Sequence, residues 1–313
     1  MSAPRQRHSG RSQSKPQPAS RHTAARQPEL IDPRWLLKAL GLVLGVALLL
    51  AWGTLCLLWY QGQWQLVLHP SRTVGATPAS LHLQFTPLRF GVDATGAPQL
   101  SGWYIPADNA TASTPSALML HGGDGSIADA LPQALTLHNA GLNVVLFDYR
   151  GFGASAGGHP TEDSMQTDAA SALTWLATTQ HVAPRQTILY GNGIGASLAV
   201  QLAAQHPNVA AIVLEAPDGD LTARVAHDPH SRLVPARLLF NQIFPLAEPL
   251  RALATPKLLI AYTSAAHPPA ALTNAADPKL TVELPSRNDP ALLTSIERFL
   301  SLYVTHEPLA SAS

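Results

Sequence analysis

Four short runs hold the residue types from which a reaction centre is built. They are His121-Gly122-Gly123, Asp148-Tyr149-Arg150-Gly151-Phe152-Gly153-Ala154-Ser155, Gly191-Asn192-Gly193-Ile194-Gly195 and Leu284-Pro285-Ser286-Arg287-Asn288-Asp289. The first three each follow a short apolar segment, and their glycines allow tight turns that bring backbone N–H groups close to a ligand. Gly191-x-Gly193-x-x-Ala196 also fits the dinucleotide-binding fingerprint. Glu215 then ends the next apolar run, where a ribose-binding carboxylate would stand. A nicotinamide or flavin oxidoreductase is therefore one reading. It conflicts with the position of the glycine run, which is the third such unit where the fingerprint commonly sits at the first.

Positioning these runs requires a sheet. Leu118-Met119-Leu120, Val144-Val145-Leu146-Phe147, Thr187-Ile188-Leu189-Tyr190, Ala211-Ile212-Val213-Leu214 and Lys257-Leu258-Leu259-Ile260 read as strands. Helical patterns lie between them at 168–179 and 196–205, with a closing helix at about 290–303. Alternation of this kind predicts an α/β fold with a mostly parallel central sheet flanked by helices. In such folds ligands bind outside the carboxyl ends of the strands, which is where the glycine-rich runs fall.

Together with Leu68-His69-Pro70 and Leu214-Glu215-Ala216-Pro217, these runs resemble the α/β-hydrolase superfamily. The match is to its membrane-anchored, lysophospholipase-like or acyl-thioesterase-like serine hydrolases, and it extends from about Gln65 to the closing helix. The resemblance implies a Ser, Asp, His triad with the serine centred in a Gly-x-Ser-x-Gly strand-to-helix elbow. Here the elbow keeps its flanking glycines, Gly191 and Gly195, but holds Gly193 at the centre. The segment expected to carry the acid, Tyr262 to Pro269, puts Ala266 at that position, and no carboxylate occurs between Arg251 and Asp277. Arg287 stands where the histidine is expected. Losing the nucleophile or the base of a triad costs about 10⁶ in kcat, or about 8 to 9 kcal/mol of barrier. The family resemblance with all three positions changed therefore predicts a catalytically inactive homologue acting as a ligand-binding or interaction domain.

The alternative is a serine-type ester or thioester hydrolase with a relocated triad. Ser197 falls on the elbow helix and reads as a packing or capping residue, while Ser155 reads as a turn former in a glycine-rich loop. His121 reads as loop-shaping, His159 and His267 as surface-loop residues beside prolines, and His306 falls after the closing helix. The 13 histidines form no metal-ligand pattern and the reading implies no cofactor and no metal. By the resemblance, backbone N–H groups of Gly123 and Ile194 occupy oxyanion-hole positions. Arg287 beside them could bind an anion, such as a carboxylate, phosphate or acyl chain end, or could instead point to solvent.

Composition places this domain at a membrane. Lys plus Arg and Asp plus Glu balance at 20 each, which gives no nucleic-acid footprint. The single cysteine, Cys56, excludes an intramolecular disulfide. Residues 1–33 are rich in Ser, Gln, Pro and Arg and read as a disordered arm. Arg5, Arg7, Arg11, Lys15, Arg21, Arg26, Arg34 and Lys38 outweigh Glu29 and Asp32 there. From Ala39 to Tyr60 no charged residue occurs over 22 residues, about 33 Å of helix. We expect a single transmembrane helix at 34–61, an α/β-hydrolase-like domain at 62–304 and a disordered tail at 305–313. A cleaved signal peptide is disfavoured because the run exceeds the usual length and no small-x-small site closes it; a buried core helix leaves the adjacent basic arm unexplained. The positive-inside rule puts the N-terminus in the cytoplasm and the C-terminal domain outside it, in the periplasm of a Gram-negative cell. The partners expected are thus the membrane and an acyl or anionic small molecule; the sequence singles out no protein partner.

Overall fold

The computed structural model describes residues 32–73, 75–219, 221–263 and 270–305. The expected arm up to residue 31, the acid position Ala266 with His267, and His306 with the tail beyond it lie outside the described residues. The chain divides into two units, Met1–Ala51 and Trp52–Ser313. Helix α1 runs from Pro33 to Gly62, one residue beyond the expected span at each end. From Ala39 to Tyr60 it carries no charged side chain, and none of its residues is buried, so by length and composition it is a candidate membrane span. Its last eleven residues, 52–62, belong to the second unit.

The second unit is built on an eight-stranded sheet. The five expected strands are present as β3 (Ser116–Leu120), β4 (Asn143–Asp148), β5 (Thr187–Asn192), β6 (Ala211–Glu215) and β7 (Lys257–Tyr262). They are almost wholly buried, which is why each reads as a continuous apolar run rather than an alternation. Three further strands complete the sheet: β1 (Thr86–Val92), β2 (Pro98–Ile105) and β8 (Lys279–Leu284). The order across it is β8-β7-β6-β5-β3-β4-β2-β1. The pairings from β8 to β4 are parallel, while β2 pairs antiparallel with both β4 and β1.

Helices α2 (Leu131–Asn139), α3 (Glu162–Thr179), α4 (Ile194–Gln205) and α9 (Ala291–Tyr303) flank the sheet. On one face, Met165, Ala169 and Leu176 of α3 pack with Leu198 and Leu202 of α4. On the other, Leu137 of α2 packs with Ile296 and Phe299 of α9. Each fully buried Leu, Ile or Phe stabilises the fold by about 1.5 to 3 kcal/mol. Helix α3 starts six residues before the expected 168. Thr161 caps it, accepting from the Ser164 N–H while the Ser164 hydroxyl oxygen accepts from the Thr161 N–H. The acidic Asp168 on its buried face is paid for by Arg150, whose Nε lies 2.6 Å from Oδ1. Short helices α5 (Leu221–His227), α6 (Ala236–Leu239) and α7 (Ala247–Ala252) form a cap segment between β6 and β7, and α8 (Ala270–Thr273) precedes β8.

Candidate functional site

Residues Gly191 to Gly195 carry the chain from the end of β5 into α4. Gly193 joins β5 to α4 with φ 56° and ψ −122°, in the left-handed half of conformational space that resists side chains. Its N–H donates to the Glu215 carbonyl at 3.1 Å, and its own carbonyl accepts from the Asp218 N–H at 3.3 Å. The flanking glycines are required for a different reason. A Cβ at 195 would overlap the Leu120 carbonyl oxygen, and one at 191 would overlap the Gly195 carbonyl oxygen. At 193 there is room: a Cβ would lie 3.5 Å from Asp218 Oδ2 and 3.8 Å from Gly122 Cα, both ordinary contacts.

This elbow borders a cleft of about 520 Å³ at the carboxyl end of the sheet. Gly122, Gly123, Asn192, Gly193, Asp124, Asp129, Asp218 and Arg287 are among its lining residues. Ile194 is the first residue of α4, so its N–H has no partner within the helix and the helix dipole favours negative charge beside it. Burial pushes the Asp218 carboxyl above its usual range, while Arg224, 3.2 Å away, works in the opposite direction.

Arg287 neither points free into solvent nor stands as an unpaired cation. Its Nε lies 3.0 Å from Oε1 of Glu215, whose side chain is fully buried, while Arg287 itself is 45% exposed. Tyr262 donates its hydroxyl to the same Glu215 oxygen at 2.5 Å, and Tyr190 donates to the other. Burial, and then the neighbouring Glu215 charge, raise both phenols well above their usual range, so they stay protonated as donors. With its amide oxygen turned towards the guanidinium, Gln133 accepts from Nε at 2.8 Å and Nη1 at 3.2 Å. The network therefore ties together β5, β6, β7, α2 and the loop after β8. Both Glu215 oxygens are committed, so it offers no free carboxylate to a ribose, and the oxidoreductase reading loses its acidic residue.

The other candidates hold the scaffold. Ser155 donates to the Asp148 carbonyl at 2.5 Å and accepts from the Ser101 N–H at 2.9 Å. Asp148 in turn accepts from the N–H groups of Ile127 (2.9 Å) and Ala154 (3.3 Å), so the Asp-Tyr-Arg-Gly-Phe-Gly-Ala-Ser run is a loop-folding device. Ser197 donates to the Pro245 carbonyl at 2.6 Å. His121 is buried, with ring centroids 4.5 Å from Tyr149 and 5.1 Å from Phe152. Burial, outweighing its contact with the Gly122 carbonyl and the Asp129 charge, pulls its pKa down to about 4. His159 stacks on Trp64 at 5.4 Å. Among the described residues no group of three or more His, Cys, Asp or Glu side chains is arranged to hold a metal ion.

Sheet order, elbow and carboxyl-edge cleft define an α/β-hydrolase. The chain belongs to the family described as serine aminopeptidase, S33, whose pattern matches residues 113–301. An uncharacterized Mycobacterium tuberculosis protein, Rv2307c, is 34% identical over 272 residues, 83% of this chain and 94% of that one. Protein bem46 of Schizosaccharomyces pombe is 26% identical over 147 residues, 46% of this chain and 48% of its own. The Pyrococcus furiosus esterase Pf2001 has the same fold, with a TM-score of 0.59 at 19% identity over 76% of this chain and 98% of that one.

Six participants in the site escaped sequence reasoning: Tyr190, Tyr262 and Gln133 around Glu215, and the cleft carboxylates Asp124, Asp129 and Asp218. The available signal was two tyrosines at or near the ends of apolar strands on either side of a strand ending in glutamate.

Proposed function

We propose that this chain is a catalytically silent member of its family, a membrane-tethered domain that binds a ligand or partner rather than hydrolysing one. The observation that carries this reading is the pair of substitutions facing the cleft. Gly193 supplies no attacking oxygen at an elbow that is otherwise intact, and Arg287 is held in an ion pair with Glu215 at the position expected for the base. A guanidinium cannot accept a proton at neutral pH. The backbone N–H groups of Gly123 and Ile194 need no side chain to act as donors, and they remain the natural contacts for a carbonyl oxygen. Of the two ligand classes expected, the cleft favours an uncharged acyl group over an anion. Arg287 is already compensated by Glu215, and Asp124, Asp129 and Asp218 add negative charge to the lining.

A relocated serine hydrolase is the second reading, in line with the esterase activity named for the Pyrococcus protein. Ser155 and Ser197 count against it, because each is buried and spends its hydroxyl on a backbone carbonyl. The test is treatment of the full chain in detergent with a fluorophosphonate probe beside a p-nitrophenyl ester assay. We expect no labelling and no turnover above background. Stoichiometric labelling would overturn the inactive reading, and the modified residue would identify the nucleophile.

The tether and its orientation form part of the same proposal. The uncharged Ala39–Tyr60 run and the basic arm before it support a single span with the N-terminus cytoplasmic and the domain outside, periplasmic in a Gram-negative cell. A reporter fused after Ser313 is expected to report an extracytoplasmic position. Activity of a cytoplasm-specific reporter there would reverse the orientation.

A further inference from the structure

Among the described residues outside α1, Leu238 and Leu233 are the most exposed large apolar side chains, at 83% and 72%. Both lie in the cap segment, with Ile243 also exposed nearby. This stretch runs alongside the end of α1. The Trp52 indole donates to the Leu233 carbonyl at 2.9 Å, Asn241 Nδ2 donates to the Tyr60 hydroxyl at 3.1 Å, and Gln63 Oε1 accepts from the Asn241 N–H at 2.8 Å.

Trp52 precedes Tyr60 by eight residues, so Leu233 sits about 12 Å back inside the uncharged run. A bilayer ending at Trp52 would leave only Ala39 to Trp52, 14 residues or about 21 Å of helix, against about 30 Å of hydrocarbon. The bilayer that α1 can span therefore reaches past Trp52 and meets the cap. The charge pattern fits this surface: no Asp or Glu occurs from Pro229 to Leu246, while the exposed Arg232 and Arg237 directly precede Leu233 and Leu238. Exposed leucines with interspersed arginines are the composition of a segment lying in the interface of an anionic leaflet.

We infer that residues 232–243 of the cap are seated in the lipid interface, with Leu233, Leu238 and Ile243 among the acyl chains and Arg232 and Arg237 at anionic headgroups. This rests on the proposed span. The occupant of the apolar face is then the bilayer itself, and the domain is held at two points, the helix and the cap.

The experiment uses the full chain in vesicles of phosphatidylcholine and phosphatidylglycerol. A bimane label is placed on native Cys56, or on Leu238→Cys or Val92→Cys in a Cys56→Ser background. Val92, on the edge strand β1, is the solvent control. Lipid bearing a nitroxide high on the acyl chain should reduce emission from positions 56 and 238 by about half or more, with position 238 blue-shifted and position 92 unaffected. Quenching at 56 with position 238 behaving like 92 would refute the cap proposal and leave the span standing. A blue-shifted but unquenched 238 would mean that a second copy or another protein covers the face, and would also refute it. Absence of quenching at 56 would remove the span and the proposal together.

Discussion

Replacing Arg287 with methionine removes the cation from a fully buried carboxylate. Breaking a buried ion pair by deleting one partner costs about 3 to 5 kcal/mol. Two features of this site reduce that figure. Arg287 is 45% exposed, so water already screens part of the attraction, and Glu215 keeps two phenol donors. We expect a loss of about 2 kcal/mol, which for a domain of this size lowers Tm by about 4 to 8 °C. Glu215→Gln should cost less than Arg287→Met, since the freed guanidinium is half solvated and an amide oxygen still accepts from a tyrosine. The assay is thermal unfolding of the full chain in detergent, followed by tryptophan fluorescence, with the double variant closing the cycle. A wild-type Tm for Arg287→Met at pH 8 would refute the argument that this pair helps tie β5, β6, β7, α2 and the loop after β8 together.

Three further outcomes are expected. Gly193→Ser fits sterically but places a side chain at φ 56°, so it should cost about 1 kcal/mol in a denaturant melt and restore no ester hydrolysis; strong activity would show that a base has been overlooked. Gly195→Ala forces a methyl against the Leu120 carbonyl and should lose at least about 3 kcal/mol or fail to fold, and a near-wild-type melt would contradict the elbow packing. His121 stays neutral in the fold until about pH 4, while the unfolded chain takes up its proton near 6.5, so wild-type stability should fall as pH drops through that window. Its share amounts to about 3 kcal/mol, and His121→Gln should lack it, which Tm against pH for the two proteins will check.

The five central strands were legible because burial on both faces demands uninterrupted apolar residues, and the sequence shows these without ambiguity. Edge strands were not. In β1, Leu88 and Phe90 point inward between the exposed Pro87, Arg89 and Val92, and β8 carries Lys279 and Glu283. Half-covered strands lose their apolar signal to solvent. The start of α3 was obscured by Asp168, a charge that belongs on a buried face only because Arg150 reaches it. At the site, the closely spaced glycines mark a tight turn in the sequence, but the carbonyl that excludes a side chain at 195 belongs to Leu120, on another strand, and no local pattern shows it. The partner of Arg287 was hidden for the same reason: Glu215 meets it only after the sheet is assembled, and no local pattern records that.

The flanking glycines of the elbow carry a wider implication. Gly191 and Gly195 are fixed by the carbonyls they would strike, so a chain with this architecture must keep them whatever stands between them. The central residue is under no such restraint. Paired glycines therefore identify the fold and not the activity; on the reading proposed above, relatives are better sorted by the residues at 193 and 287 read together.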